Sequence, residues 1–210
     1  LLEKADHWKL SKKDKKKYES LLDVSGPGIM GYIEIPKIDC SLPVYHGTDE
    51  GALQIAIGHL EGSSLPVGGK SSHCVLSGHR GLPSARLFTD LDQMEEGDTF
   101  ILNILGHKLA DEVDQIKVVL PEEMSDLEIQ EGKDLCTLVT CTPYGINTHR
   151  LLVRGHRVKY VETKVQEQKK VSKSKTDTRL VIAGAAVGAV VLFIIIFAVR
   201  RRRKHRNQQR

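Results

Sequence analysis

The sequence contains only four cysteines among its 210 residues, and no two of them form a Cys-x-x-Cys pair. Structural zinc sites commonly use such pairs, so the sequence gives little support for one. A site made of His73, Cys74, His79 and a strand cysteine is the weakest alternative, because its spacing matches no standard pattern. We expect neither a metal nor another cofactor. The four cysteines permit three disulfide pairings, and the sequence does not choose among them.

An excess of positive charge is absent from most of the chain, although the formal net charge is +4. Residues 200–210, RRRRKHRNQQR, hold seven Lys and Arg and no acidic residue, so the rest of the chain is net negative. The basic balance belongs to this tail and does not indicate a nucleic-acid surface. We therefore expect no nucleic acid among the partners.

Charged and strongly polar residues are absent from residues 180–199, LVIAGAAVGAVVLFIIIFAV. At about 1.5 Å per residue, a helix of this length matches the ~30 Å hydrocarbon core of a bilayer. The basic residues that follow place the C-terminal tail in the cytoplasm by the positive-inside rule. We expect a cell-membrane protein with one transmembrane helix and with residues 1–179 outside the cell.

The extracellular part is long enough for one globular domain with polar flanks. We assign residues 1–17 to an N-terminal arm and residues 18–161 to the folded domain. Residues 162–179, ETKVQEQKKVSKSKTDTR, are polar and are predicted to form a flexible stalk that leads to the membrane.

Short apolar segments separated by Gly and Pro fill the folded domain. Strands are predicted for residues 31–38, 41–47, 73–79, 96–105, 107–119 as two segments, 134–141 and 150–161. Short helices are predicted for residues 11–22, 49–57 and 121–129, and one or two helical turns for residues 87–94. Many short strands with few helices indicate a mainly β fold that closes into a barrel.

The last two predicted strands bring a thiol and a guanidinium together. By the two-residue repeat of a strand, Cys141 lies on one face of segment 134–141 and Cys136 on the other, so these two are not expected to pair. Arg150 opens the next strand after a loop with Pro and Gly. If the strands pair antiparallel, Cys141 and Arg150 lie at one rim of the barrel. Cys74 and Cys136 are interpreted as core residues.

A thiol is a good nucleophile only as the thiolate, which a neighbouring cation favours. Arg150 stays charged and can also donate to an oxyanion that develops on an attacked carbonyl. Such a pair needs a proton carrier for the leaving group, and histidine is the usual residue. His79, at the end of the apolar run HCVLSGH, is our candidate. His149 and His156 are as close in sequence to Cys141 and stay open as alternatives.

The stretch TLVTCTPYGINTHRLLVRGHR resembles the signature of sortases. GHLEGSSLPVGGKSSHCVLSGHRGLPSARLFTDLDQMEEGD resembles the pilus-assembling class C sortases of Gram-positive bacteria, and MGYIEIPKI resembles their first barrel strand. The similarity covers roughly residues 18–160. It implies a closed eight-stranded sortase β-barrel, and it implies that His79, Cys141 and Arg150 are the catalytic residues.

The resemblance also implies a mechanism at the cell surface. Cys141 would attack the Thr carbonyl of an LPXTG-like sorting signal of a pilin, while Arg150 stabilises the oxyanion or holds the substrate backbone. His79 would protonate the departing glycine amine, which leaves a thioacyl enzyme. A lysine amine of another pilin would then attack and form an isopeptide bond. Pilin subunits and the membrane are therefore the expected partners.

The N-terminal arm departs from the class C pattern. That class carries a lid over the active site with an Asp-Pro-aromatic motif, and the corresponding residues here are Asp6, His7 and Trp8. Proline would fix φ and stiffen the turn, whereas histidine does not. We hypothesise that the lid is loose or absent. Tight packing of Trp8 on Cys141 would contradict this hypothesis.

Three other functions are compatible with the sequence. A hydrolytic cysteine peptidase would use the same residues with water as the acceptor. A housekeeping-type sortase would anchor proteins to the cell wall. A membrane-tethered binding module without enzymatic activity would keep its function when Cys141 is replaced by Ala.

Overall fold

The computed structural model describes residues 8, 10–24, 26–82 and 85–169. Its eight strands are β1 (Ile29–Ile35), β2 (Cys40–His46), β3 (Ile57–His59), β4 (Ser72–Ser77), β5 (Thr99–Ile104), β6 (His107–Val119), β7 (Asp134–Thr142) and β8 (His149–Val158). They close into a barrel in the order β1-β2-β3-β4-β7-β8-β6-β5. The predicted mainly β, closed eight-stranded barrel is confirmed.

Helix α1 (Lys12–Ser20) agrees with the helix predicted for residues 11–22, and Ser11 caps its first turn. Tyr18 is the buried residue of this helix, and its hydroxyl lies 2.8 Å from Nδ1 of His59. A helix with so few apolar residues gains most of its stability from tertiary contacts. Tyr18 therefore anchors α1 to the barrel at β3.

Two predicted helices are wrong in extent. Helix α2 (Glu50–Leu53) ends earlier than the predicted 49–57, because Ile57 is buried and pairs with β2 as the start of β3. The predicted helix 121–129 is only a 3-10 turn at Ser125–Leu127. Leu127 is the buried residue of this turn, and one apolar side chain provides no helical face to pack.

The segment 107–119 forms one strand, β6, instead of the two predicted strands. Its pairing with β8 shifts register between Val113 and Gln115, so one extra residue is accommodated without ending the strand. The sequence suggests a break because Asp111, Glu112 and other polar residues interrupt the apolar run. Pairing with β5 and β8 on the two sides supports the strand through this interruption.

The first part of the predicted flexible stalk, residues 162–169, is helical. Val165 is buried, and the side chain of Gln168 accepts a hydrogen bond from the Thr99 amide at 3.3 Å. These contacts dock the segment on the barrel near β5. The rest of the stalk, the predicted membrane helix 180–199 and the tail lie outside the described residues. Within the described residues, no helix has the length and apolar character needed to cross a bilayer.

The strands divide their apolar residues between two clusters. Large residues from all around the barrel fill its interior, among them Ile33, Val44, Leu76, Phe100, Leu138 and Val153. A second cluster, which we call the outer apolar cluster, covers one outside face and consists of Val75, Val119, Leu127, Val139 and Leu152. Adjacent residues such as Leu138 and Val139 belong to different clusters, as the two-residue repeat requires.

A buried ion pair joins β6 to β8 inside the barrel. Asp111 is fully buried, and its Oδ2 accepts a hydrogen bond from Nη1 of Arg157 at 2.8 Å. Gly155 makes room for this pair, since a Cβ at its position would lie 2.9 Å from Cβ of Asp111. Burial raises the pKa of Asp111 to about 8, although the charge of Arg157 lowers it. The arginine therefore limits the cost of a carboxylate in the core.

Replacing Arg157 with Met should destabilise the fold in a pH-dependent way. The free energy of unfolding should fall by about 1 to 3 kcal/mol at pH 8, because the ionised fraction of Asp111 loses both its cation and a charge-assisted hydrogen bond. The loss should be smaller at pH 5. The pKa of Asp111 exceeds the value near 3.9 of an unfolded aspartate, so the folded state keeps a proton that the unfolded chain releases, and the contribution of Asp111 to stability declines from about pH 4 to about pH 8.

Urea denaturation at both pH values measures this difference. Lys117→Met is the matched control, because Lys117 pairs with Asp126 at 2.6 Å on the surface of the same strand, β6. An exposed pair contributes less than about 1 kcal/mol. Equal losses for Arg157→Met at pH 5 and pH 8 would contradict the role given to Asp111.

Candidate active site

The register of β4 against β7 positions His79 next to Cys141. The two strands are parallel, and Ser77 lies opposite Val139. The ladder continues beyond β4, because the Gly78 amide donates to the Val139 carbonyl at 3.1 Å. Two residues further along each strand, His79 takes the position opposite Cys141. Sixty-two residues of chain separate the members of each pair, so tertiary structure creates this proximity.

The register of β7 against β8 positions Arg150 next to Cys141. These strands are antiparallel, and Cys141 and Arg150 are direct partners. Val139 and Leu152 are the strand partners two residues away from this pair, so they lie on the same face. Both belong to the outer apolar cluster, so the side chains of Cys141 and Arg150 also point out of the barrel. His79, Cys141 and Arg150 thus share one edge and one face of the barrel, and all three are half-buried.

Buried contacts fix the backbone that carries His79. The hydroxyl of Thr140 donates to the Gly78 carbonyl at 2.8 Å, which joins the ends of β4 and β7. The His79 carbonyl accepts a hydrogen bond from the amide of Phe88, whose ring is fully buried. A Cβ on Gly78 would lie 2.8 Å from that ring, so only glycine fits there. These contacts hold His79 in place without occupying its imidazole.

Hydrogen-bond donors at this edge are left free for a ligand. The side chain of Arg150 donates through Nη1 to the Asn147 carbonyl at 3.0 Å and to the His149 carbonyl at 2.9 Å. Its Nε is buried, as is Nε2 of His79, and neither has a hydrogen-bond partner within the described residues. Buried polar groups normally have hydrogen-bond partners, so these two nitrogens are available to a ligand that reaches this edge.

The structure separates His79 from the other two candidate histidines. His149 precedes Arg150 on β8 and pairs with Thr142, so strand alternation gives it the opposite face. His156 lies six residues from Arg150 along β8, and its Nδ1 is 3.8 Å from Asp114. At about 3.3 Å per residue, His156 is roughly 20 Å from Arg150. The predicted trio is the set that the fold brings together.

The other cysteines have different environments. Cys74 and Cys136 are buried and face each other across β4 and β7 in the barrel interior, which confirms their interpretation as core residues. All four cysteines are free thiols. Burial raises the pKa of Cys40 to about 12, so this thiol stays protonated at neutral pH. Cys141 is the better placed nucleophile.

The alternative metal site does not assemble. His73 and Cys74 are neighbours on β4 and point to opposite faces. Both ring nitrogens of His73 are engaged, Nδ1 with the Glu128 carbonyl at 2.9 Å and Nε2 with the Thr137 hydroxyl at 2.7 Å. Within the described residues, no group of three or more His, Cys, Asp and Glu is arranged to hold a metal ion.

An apolar groove leads along the outer face to Arg150. It encloses about 430 Å³ of space, part of it open to solvent. The residues of the outer apolar cluster line it, together with Leu120 and Pro121 after β6. Arg150, the strand partner of Cys141, is also among the lining residues. A segment bound in the groove would therefore contact Arg150, the strand partner of Cys141.

Of the two predicted lid residues, Asp6 lies outside the described residues and Trp8 is described. Trp8 is half-buried, packs against the outer apolar cluster and lines a cavity with His73 and Ile129. His73 lies at the start of β4 and His79 lies two residues beyond its end, so the two are about 20 Å apart along an extended chain. Trp8 therefore lies at the far end of this face, and the loose lid stays a hypothesis.

Comparisons with known proteins identify the family to which this fold belongs. The Sortase domain matches residues 33–158, and the chain belongs to the sortase family. Sortase D of Bacillus subtilis is 32% identical over 131 residues, which are 61% of this chain and 63% of that protein. The chain thus spans less than two thirds of the length of this curated relative.

Solved structures narrow the relationship to class C. Sortase C1 from Streptococcus agalactiae is 57% identical with a TM-score of 0.72, over 73% of this chain and 80% of that chain. A pilus-related sortase C of Group B Streptococcus is 47% identical with a TM-score of 0.64, over 66% and 71% of the two chains. Within the sortase family, the chain is therefore a class C member.

Two residues that support the site have no signal in the sequence. Thr140 alternates with Cys141 along β7, and nothing in the local sequence indicates its hydrogen bond to the end of β4. Arg80 directly follows His79, and arginines in loops are usually exposed, yet its side chain is only 9% exposed. The role of each residue depends on a contact with a residue distant in the sequence, so no local sequence pattern indicates it.

Iodoacetamide at pH 8 should modify one cysteine, Cys141. Cys74 and Cys136 are buried, and the raised pKa of Cys40 leaves little thiolate there. Peptide mass mapping after brief exposure measures the sites, and Cys141→Ala should remove most of the label. Labelling of Cys40 at a rate similar to that of Cys141 would contradict this assignment.

Proposed function

We propose that this protein is a cysteine transpeptidase that cleaves an LPXTG-like sorting signal and transfers the acyl group to an amine. The observation that carries the proposal is the position of Cys141, His79 and Arg150 at one edge, next to an apolar groove. A nucleophile, a proton carrier and a fixed cation are the parts that acyl transfer through a thioester requires.

In the first half of the reaction, the Cys141 thiolate attacks the Thr carbonyl of the sorting signal. The carbonyl oxygen takes up the negative charge, and Arg150 donates to it through the Nε–H that has no other partner within the described residues. His79 gives a proton to the glycine nitrogen as the Thr–Gly bond breaks. The products are a peptide that begins with glycine and a thioester on Cys141.

In the second half, an amine attacks the thioester carbonyl. His79, now neutral, takes a proton from the attacking nitrogen, and the sulfur leaves as the thiolate. The new bond is an amide between the Thr carbonyl and the amine. When that amine belongs to a lysine side chain, the product is an isopeptide bond and the enzyme returns to its starting state.

The groove supports a sorting signal with apolar residues before the reacting threonine. Val75, Val139 and Leu152 lie along the face that ends at Cys141 and Arg150. Leucine and proline of an LPXTG-like segment would bury their side chains there, at roughly 25 cal/mol per Å² of apolar area. The extended backbone would lie across the face formed by β4, β7 and β8.

A pilin is the substrate that we propose for both halves of the reaction. The support is the similarity to a pilus-related sortase C of Group B Streptococcus. One pilin supplies the sorting signal and another supplies the lysine. A hydrolytic peptidase would use the same edge with water as the acceptor, because Cys141 is partly open to solvent.

The decisive experiment incubates the chain with an LPXTG peptide. Mass spectrometry should find the acyl group on Cys141, and Cys141→Ala should abolish the adduct. His79→Ala and Arg150→Ala should each lower the rate of adduct formation by about 100-fold or more, since each removes one group that acts on the reacting atoms. Cys40→Ala is the control and should leave the rate unchanged.

Addition of a lysine-containing pilin then separates transfer from hydrolysis. An isopeptide-linked product supports the pilin transpeptidase, and release of only the free acid supports the peptidase. An adduct on another cysteine, or an unchanged rate in Cys141→Ala, would contradict the proposal.

We also propose that residues 180–199 anchor the protein in the cell membrane with the barrel outside. The support is the uninterrupted apolar composition of this segment and the basic tail after it. A chain that ends at residue 179 should be released from the membrane fraction, while the full chain should stay there after a high-salt wash. Retention of the shortened chain would contradict the anchor.

A further inference from the structure

Arg80, the residue after His79, contacts several of the segments that form the proposed acyl-transfer site. We propose that Arg80 is a positioning residue that clamps the loop carrying His79 to the loop between Cys141 and Arg150. The proposal rests on the transpeptidase activity proposed above, because its effect is measured on that reaction.

The burial of Arg80 sets it apart from an ordinary surface arginine. Its side chain is only 9% exposed, although it lies in a loop at the edge of the barrel. Nη2 donates to Oδ2 of Asp92 at 2.5 Å, and that carboxylate belongs to the 3-10 turn Leu91–Gln93. A desolvated guanidinium is costly unless its charge is paired, so Asp92 explains why Arg80 tolerates this position.

The opposite side of the guanidinium reaches the strand that carries Cys141. Nη1 lies 3.5 Å from the hydroxyl of Thr142, the residue directly after Cys141. The planar fork of arginine places donors on separate nitrogens, so one side chain reaches two acceptors that lie too far apart for the single ammonium of a lysine. Arg80 therefore connects the Asp92 turn to the end of β7.

Tyr144 adds a third contact from the loop between Cys141 and Arg150. The Arg80 guanidinium carbon lies 5.7 Å from the centre of the Tyr144 ring, within the range of a cation–π interaction. The same ring packs on the backbone of Gly81, where a Cβ would lie 3.0 Å from it. Gly81 also has a positive φ of 80°, so a side chain there would be strained as well as crowded.

These contacts connect the segments that carry the three predicted catalytic residues. His79 is the neighbour of Arg80 in sequence, and Thr142 and Tyr144 lie between Cys141 and Arg150. Loop geometry matters here, because a displacement of about 1 Å between reacting groups can cost on the order of 100-fold in rate. Arg80 does not touch the reacting atoms in this account; it sets the distance between the groups that do.

Arg80→Met tests the clamp, because it keeps the length of the aliphatic stem and removes the fork and the charge. We expect kcat for cleavage of an LPXTG peptide to fall on the order of 10- to 100-fold, with KM changed by less than about twofold. Arg80→Lys should be intermediate, since it can keep the Asp92 pair but not the contact to Thr142. Thermal melting should show that both variants remain folded.

Arg86→Met is the matched control. Arg86 lies six residues further along the same segment, its side chain is 82% exposed, and it pairs with Asp90. This change also removes one arginine and one ion pair, so kcat should equal that of the unaltered chain. A purely electrostatic effect of losing a positive charge near the site would instead appear in both variants.

A double-variant cycle identifies the partner. Tyr144→Leu removes the aromatic ring, and in the Arg80→Met background it should add little further loss, because the contact is already broken. Full kcat in Arg80→Met, or losses that multiply independently in the double variant, would overturn the clamp. If Arg80→Met does not fold, Arg80→Lys and Tyr144→Leu decide the question in the same way.

The result also separates this inference from the proposed function. If the unaltered chain forms no acyl adduct with the peptide, the transpeptidase proposal fails. If the unaltered chain is active and the Arg80 variants match it, the transpeptidase proposal stands and the clamp is wrong.

Discussion

The register of β7 against its two neighbours is the constraint on which the site depends. Cys141 lies opposite Arg150 on one side, and on the other side the register of β4 against β7, extended two residues beyond Ser77, leads to His79. A shift of one residue in either pairing would place Cys141 and its partner on opposite faces of the barrel wall. The interior residues Cys136 and Leu138 and the outer residue Val139 prevent such a shift, because each is buried in its own cluster. Packing of the barrel thereby fixes the chemistry at its edge.

The sequence predicts those parts of the fold that depend on local patterns. The two-residue repeat in β7 separates Cys136 from Cys141, and the short loop between β7 and β8 makes Arg150 the partner of the thiol. The pairing of β4 with β7 is non-local, so only the resemblance to sortases distinguishes His79 from His149. Strand β3 has three residues and no periodicity, and the helix predicted at 121–129 lacks an apolar face to pack.

Burial accounts for the other differences between the sequence and the structure. Asp111 interrupts an apolar run and suggests a break, yet Arg157 from β8 makes its burial tolerable within a continuous strand. Arg80 has the sequence of a surface charge, yet Asp92 and Tyr144 enclose it beside the predicted catalytic residues. A buried charge depends on a distant partner for its stability, and a single sequence gives no sign of which partner that is.

A crystal structure of the chain with an LPXTG analogue joined to Cys141 tests the central claim most directly. The account predicts that Arg150 donates to the carbonyl oxygen of the threonine analogue and that His79 lies within hydrogen-bond distance of the glycine nitrogen position. The apolar residues of the peptide should lie in the groove over Val139 and Leu152. An adduct whose carbonyl is held by other groups, with His79 turned away from it, would contradict the account.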